Sequence, residues 1–276
     1  MCNYAESFDN AFMIRLKNYR LLLIAALLSA LVGLIYRELT RSREPIVDGK
    51  PLDFWLDQYR VCITGGGEDR MAKQAKAEEA IRHLGTNAIP QLLAMLRERD
   101  VGLGDKLLEL LQKQSLIRIR YKPAWVRNNE AADGFEILGA DAREAVPALI
   151  EIYERPQSPS SQVSAAAALA GIGPAASAAV PVLLRGTTNS DHSVRLFAIA
   201  TLGPIHSTPT IVVPALTRCL NDPFVDVRCL AARSLGHYGP DARQAVPELE
   251  QLLNAKERVM RSEAALALKQ IDPGRK

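Results

Sequence analysis

The feature that most constrains this chain is a set of residues that recur every 33 positions along its second half. A leucine, a proline preceded by valine, an arginine, and an alanine three residues after the arginine all keep this spacing. The four series are Leu169, Leu202, Leu235 and Leu268; Pro181, Pro214 and Pro247; Arg195, Arg228 and Arg261; and Ala198, Ala231 and Ala264. Independent series that share one period are the sequence signature of a repeat array.

One module, residues 211–236, predicts a helix hairpin. Residues 211–220 form a short apolar helix with Pro214 in its first turns, where a missing N–H costs little. Asp222 lies in the following turn and can cap a second helix over residues 224–235, whose apolar positions recur every three or four residues. A single hairpin cannot bury its apolar face, but stacked hairpins can. The sequence therefore predicts an all-α fold, an α-solenoid of about six helix hairpins.

This module resembles the HEAT repeat and its variant, the HEAT-like repeats of phycobilisome lyases. The resemblance rests on the first-helix proline, the turn aspartate and the valine-arginine pair that opens the second helix, and it covers about residues 69–271. It implies a ladder in which aspartates and arginines of neighbouring repeats pair. The matching residues here are Asp191, Asp222, Arg195, Arg228 and Arg261, with Gln162 in the place of an earlier arginine. Such a resemblance is specific for fold and implies little about function.

An uncharged run near the N-terminus predicts a membrane anchor. Residues 21–36 carry no charge, and Arg20 and Arg37 flank them. As a helix the run would rise about 24 Å against roughly 30 Å of hydrocarbon, and the flanking arginines can extend to the interfaces. The predicted order is a tail over 1–18, a single-pass helix over 19–37, a linker over 38–50 and the solenoid over 51–276. A cleaved signal peptide and a buried core helix are the alternatives.

The start of the solenoid carries an aromatic pair that has two interpretations. Residues 44–56, EPIVDGKPLDFWL, follow the predicted anchor and resemble a class of membrane-anchored bacterial proteins. This resemblance implies a bacterial inner-membrane location. Trp55 lies in a short amphipathic helix, where it either covers the open end of the stack or contacts a partner.

The period stretches between Pro90 and Pro147, which predicts an insertion at about residues 100–122. The insertion ends in a basic, aromatic-bearing cluster that includes Arg118, Arg120 and Lys122 and extends to Arg127. Interleaved arginines and aromatics can bind phosphates and stack bases, or lie against anionic lipid headgroups. A solvated face is the simpler interpretation.

Motifs of catalysis or metal binding are not found in the sequence. The four histidines form no HExxH pattern and no paired spacing with cysteines, and no GxSxG motif occurs. We therefore expect no enzyme activity, no cofactor and no metal. Cys219 and Cys229 lie on consecutive predicted helices, where they could pair or remain small buried apolar side chains.

The leading functional hypothesis is a membrane-tethered, non-catalytic scaffold for protein–protein interaction. The second helices should line the concave side of the solenoid, where Asp226, Arg233 and Glu263 are candidates to contact a protein partner. One alternative, implied by the resemblance, is a lyase or isomerase that acts on a tetrapyrrole chromophore. Another is binding of nucleic acid or an anionic surface through Arg118–Arg127. The net charge of +3 lies entirely in residues 1–43, so residues 44–276 are neutral overall. A neutral solenoid argues against binding of nucleic acid, which usually needs a basic surface.

Overall fold

The computed structural model describes residues 45–64, 70–99 and 122–274, and these residues form an array of helices. A small antiparallel hairpin comes first, with β1 at Ile46–Val47 and β2 at Lys50–Pro51. The helices of the described ranges are α1 (Leu52–Thr64), α2 (Arg70–Leu84), α3 (Ile89–Leu96), α4 (Ala124–Leu138), α5 (Val146–Glu154), α6 (Pro159–Ile172), α7 (Val180–Gly186), α8 (His192–Ile205), α9 (Pro209–Cys219), α10 (Val225–His237), α11 (Val246–Leu252) and α12 (Arg258–Ile271). The predicted all-α solenoid is confirmed.

The helices form consecutive pairs, α1 with α2 through α11 with α12, each consisting of a first and a second helix. From α3 onward the first helices have a proline at one of their first two positions, as the sequence predicted. The prediction was wrong in detail for α9. That helix begins at Pro209, so Pro214 lies inside it rather than in its first turns.

The connection before α9 explains this difference. Elsewhere in the regular part a second helix ends at a glycine with positive φ, such as Gly173 (69°) or Gly239 (50°), and a 3-10 segment leads to the next helix. At the corresponding position stands His206, with φ 45°, and Thr208 also has positive φ. No 3-10 segment follows His206, and the chain enters α9 directly. A non-glycine residue in this conformation costs about 1 kcal/mol.

The second helices from α4 to α12 pack most extensively against one another. Glycines allow this close approach. A Cβ atom added at Gly171 of α6 would lie 2.6 Å from the Cα of Glu136 in α4, and one at Gly203 of α8 would lie 3.2 Å from the Cα of Ser234 in α10. The second helices therefore form the tightly spaced layer of the stack.

Two hydroxyl groups, 33 residues apart, join neighbouring second helices. Thr201 Oγ1 shares its one proton between the carbonyl oxygens of Phe197 in its own helix, at 2.7 Å, and Ala166 in α6, at 3.2 Å. Ser234 Oγ donates to the carbonyl oxygen of Ile199 in α8 at 2.9 Å. Both hydroxyls are buried, so each hydrogen bond satisfies a polar group that would otherwise be costly inside the core. No motif in the sequence indicates these two bonds, because serine and threonine also occur at packing positions of helices.

The N-terminal pair departs from the regular array. The second helix α2 contacts α4 much less than the later second helices contact one another, and α1 touches both α2 and α4. Leu52 and Leu56 of α1 are fully buried there. The hairpin before α1 turns at Asp48 and Gly49, both with positive φ as a tight hairpin turn requires. Residues 46–50, the end of the predicted linker over 38–50, thus belong to a hairpin at the N-terminal end.

The predicted membrane helix over 19–37 and nearly all of the insertion over 100–122 lie outside the described residues. Within the described part, one stretch, Pro159–Gly186, is long and apolar enough to cross a membrane by length and composition. It comprises α6, a 3-10 segment and α7, and half of it is buried within the array.

Candidate interaction site on the second helices

The arginine and aspartate that the resemblance singled out meet between neighbouring repeats. Arg195, on α8, makes two hydrogen bonds to the carboxylate of Asp222, at 2.7 Å from Nε and 3.1 Å from Nη2. Its Nη1 donates to the carbonyl oxygens of Asn189 and Ser190 in its own repeat. This bonding to Arg195 lowers the pKa of Asp222 below its ordinary value. The guanidinium thus joins the turn of one repeat to the turn of the next.

The other ladder positions follow this geometry only in part. Arg228 and Arg261 also donate to the carbonyl oxygens five and six residues before them, as Arg195 does. Across the repeat boundary Arg228 faces Glu257, at 3.4 Å, and not an aspartate. Asp191 caps α8 by accepting from the backbone N–H of Ser193 at 2.8 Å. The HEAT pattern has no acidic residue at the position of Glu257, so the pair of Arg228 and Glu257 could not be predicted from it.

A second set of charges joins α1 to α4. Lys122 Nζ lies 2.6 Å from Asp57 and 3.0 Å from Glu130, whose side chain is 2% exposed. Arg127, also buried, pairs with Asp53 of α1 and with Glu98. Burial outweighs the neighbouring Lys122 and raises the pKa of Glu130. Lys122 was a candidate partner-binding residue, but its ammonium group holds the N-terminal end together.

Asp133 extends this set toward the surface. Its carboxylate lies 2.8 Å from Nε of Arg60. Burial raises the pKa of Asp133 to about 6, even though Arg60 acts in the opposite direction. Three residues of α1 make these ion pairs: Asp53, Asp57 and Arg60. They are four and three positions apart, so they lie on one face of the helix.

Trp55 is buried rather than available to a partner. Its side chain is 5% exposed, and Nε1 donates to the carbonyl oxygen of Val47 at 3.2 Å. The ring packs edge-on against Phe54. The hairpin and α1 enclose Trp55, so the described residues do not present its side chain to a partner. The alternative interpretation, an aromatic that covers the end of the stack, agrees with this position. Arg118 and Arg120 lie outside the described residues.

The solvent side of the second helices forms a continuous surface, here called the second-helix face. It consists of Val163, Ala167 and Ala170 of α6, Leu196, Phe197 and Ala200 of α8, and Leu230 of α10, with Asp133 and Glu136 at the α4 edge and Asp226 and Arg233 at the α10 edge. The centre on α6 and α8 is apolar, with Ser160 and Ser193 one turn beyond it toward the N-terminal ends of these helices, and Leu196 and Phe197 are half-buried against the core. Charges thus border an apolar centre.

The predicted contact residues at the α10 edge partly satisfy one another. Arg233 donates to Glu263 of α12 through Nε at 3.2 Å, and Nη2 makes a second bond to the same carboxylate. Asp226 is exposed, and its Oδ1 accepts a hydrogen bond from the backbone N–H of Val227 at 2.9 Å. The structure therefore brings Arg233 and Glu263 together and leaves Asp226 apart.

The two described cysteines are free and buried. Burial raises the pKa of Cys219 to about 11 and also raises that of Cys229, so both are protonated thiols at neutral pH. Cys229 Sγ instead contacts the sulfur of Met260 at 3.8 Å. Within residues 45–64, 70–99 and 122–274, no group of three or more histidine, cysteine or acidic side chains is arranged to hold a metal ion.

These features define the class of protein: an α-solenoid of helix-pair repeats with a partly apolar second-helix face. The family of HEAT repeats matches residues 146–223 and 213–275. Together these matches cover residues 146–275, just under half of the chain, and show that this part is similar to HEAT repeats. A comparison with curated proteins found no match.

Solved structures with similar folds have low sequence identity to the chain. A Kap121p mutant is 13% identical over 80% of this chain and 24% of its own, with a TM-score of 0.45. The complex of CpcE and CpcF of phycocyanin lyase from Nostoc sp. is 20% identical over 84% of this chain and 82% of its own, with a TM-score of 0.39. Human deoxyhypusine hydroxylase is 19% identical over 80% and 96%, with a TM-score of 0.39. The chain spans about a quarter of the Kap121p chain.

Proposed function

We propose that this protein is a non-catalytic scaffold that binds a protein partner on its second-helix face. The observation that carries the proposal is the apolar centre of that face, formed by Val163, Leu196, Phe197 and Leu230. An apolar surface bordered by charged residues is typical of a protein-interaction site.

The packing of the array supports this choice of surface. The second helices approach closely through Gly171 and Gly203, whereas the first helices touch one another less. A stack of repeats curves toward its more tightly spaced layer, so the second helices line the concave side. A concave surface made by several repeats lets one partner contact many side chains at once.

We further propose that residues 21–36 tether this scaffold to a membrane, with an inner-membrane location in a bacterium. The support is the uncharged run itself and its flanking Arg20 and Arg37. Anchoring would raise the local concentration of the scaffold for partners at the same membrane. None of the described contacts favours a tetrapyrrole lyase, so we do not propose that activity.

Site-specific photocrosslinking in intact cells tests the proposal. A benzophenone side chain is placed at Ala167, an exposed position in the centre of the second-helix face, and in a matched variant at Ala178, which is exposed in the 3-10 segment before α7. We expect a protein adduct of defined mass from position 167 and none from position 178. Equal labelling at both positions, or no adduct at position 167, would contradict a partner on this face.

The proposed membrane tether is tested separately, by sedimentation with membranes and extraction with carbonate. The full-length chain should sediment with membranes and resist extraction by carbonate, whereas a chain that lacks residues 1–43 should stay in the supernatant. Carbonate-extractable full-length protein would remove the membrane proposal and leave the scaffold proposal intact.

A further inference from the structure

The charges around the apolar centre point to the chemistry of the partner. At the α4 edge, Glu136 is exposed and makes no ion pair with any described residue. Asp133 stands close enough that Glu136 adds to the rise in its pKa, after burial as the main cause. Tyr59 of α1 lies beside the same carboxylates, and burial together with Glu136 raises its pKa. This edge therefore has a negative potential.

The positive groups of the face are already neutralised. Arg60 pairs with Asp133, Arg228 with Glu257, and Arg233 with Glu263. Partial burial of its ring lowers the pKa of His237, so this side chain is neutral at pH 7. Asp226 is a second exposed carboxylate, at the α10 edge. The uncompensated charges that border the centre, Glu136 and Asp226, are therefore both negative.

The spacing of these charges suits one short segment. Glu136 and Asp226 lie on α4 and α10, which α6 and α8 separate. Neighbouring helix axes are about 8 to 10 Å apart, so α4 and α10 are about 24 to 30 Å apart. Glu136 lies near the C-terminal end of α4 and Asp226 near the N-terminal end of α10, which adds an offset of about 15 Å along the helices, so the two carboxylates are about 28 to 34 Å apart. An extended segment of about nine or ten residues covers that distance.

We propose that the partner presents a cationic–apolar segment, with aliphatic side chains on the α6–α8 surface and a lysine or arginine facing Glu136. This inference rests on the proposed function and names the chemistry of the ligand at the same face. Apolar contact supplies affinity, because it removes Leu196 and Leu230 from water. The carboxylates supply orientation and exclude acidic segments.

Synthetic peptides test the charge requirement. Three fluorescein-labelled peptides of the same length share alternating leucine and alanine and differ at two outer positions, which are both lysine, both glutamine or both glutamate. Binding to the full-length protein in detergent is measured by anisotropy. We expect the lysine peptide to bind about ten times more tightly than the glutamate peptide at low salt, and the difference to shrink as salt screens the charges.

Variants locate the effect. Glu136→Gln should weaken binding of the lysine peptide about threefold and leave the glutamine peptide unchanged. Glu144→Gln, which alters an exposed carboxylate in the 3-10 segment before α5, should change neither. Ala167→Gln should weaken all three peptides, with Ala178→Gln as its matched control. Melting temperatures of all variants confirm that the fold is retained.

The outcomes separate the two proposals. If Ala167→Gln weakens every peptide but the three peptides bind equally, the cationic segment is wrong and the second-helix face stands. If the glutamate peptide binds best, the sign of the inferred potential is wrong. If Ala167→Gln has no effect on any peptide and position 167 yields no crosslink, both proposals fall.

Discussion

At the scale of single residues, the sequence motif predicts the partners of some charged side chains and not of others. Arg195 and Asp222 could be predicted as partners, because both belong to series with the repeat period and to the HEAT pattern. Lys122 could not, since its role depends on α1 lying against α4, a contact between distant segments. Sequence patterns report local periodicity well and contacts between irregular segments poorly.

Asp133 provides a prediction about pH. Burial raises its pKa in the folded chain to about 6, above its value of about 3.9 when unfolded. The charged form therefore costs stability above pH 6, and this cost disappears as the pH falls from about 6 to 4. The stability of Asp133→Asn relative to wild type should therefore rise by about 2 kcal/mol from pH 4 to pH 7.

Urea denaturation from pH 4 to pH 7 measures this difference. Asp141→Asn, at an exposed aspartate of a 3-10 segment, serves as the control and should show no such dependence on pH. A constant difference between Asp133→Asn and wild type across this range would show that Asp133 stays charged throughout.

At the scale of the elements, the close layer of second helices depends on small residues at the contacts. The first-helix prolines Pro90, Pro147, Pro181 and Pro247 each stand at the second position of their helix. The exception was α9, because His206 adopts a conformation that glycine adopts at equivalent positions, and no 3-10 segment follows. A histidine in a left-handed conformation has no signal in the sequence pattern, so the earlier start of α9 was not predictable.

Two glycines make a matched pair for testing this close layer. A Cβ at Gly171 would meet backbone, at 2.6 Å from Glu136 Cα, whereas one at Gly236 would chiefly meet the mobile end of Gln270. Alanine gains about 1 kcal/mol of helix propensity at either position. Gly171→Ala should still destabilise the protein by about 1 to 2 kcal/mol, because backbone must shift. Gly236→Ala should be near neutral in thermal denaturation, and equal losses would show that backbone crowding is not the cause.

At the scale of the whole molecule, the extensive contacts within the described residues join only helices of the same or adjacent pairs. Stability in such an array is local, so damage to one repeat boundary should not spread far. Within the described residues, the regular pairs from α5 to α12 were predictable from the period. The packing of α1 and the hairpin on the N-terminal end was not, because neither follows that period.

Lys122→Met tests this locality. The change leaves the buried carboxylate of Glu130 without its cation, which should cost about 3 kcal/mol. Hydrogen exchange should accelerate by about a hundredfold in α1 and α4 and stay unchanged in α12. Lys269→Met, at an exposed lysine of α12, is the control. Acceleration along the entire array would mean that the chain unfolds as one cooperative unit.

The hydroxyl groups of Thr201 and Ser234 stand 33 residues apart and act at the same relative place on two successive boundaries, α8 with α6 and α10 with α8. These two boundaries are therefore similar in structure. A rotation of a few degrees at each boundary adds along a stack of repeats, so the solenoid can bend as a whole while each boundary changes little. Pulling on its two ends should therefore lengthen the molecule smoothly before any repeat unfolds.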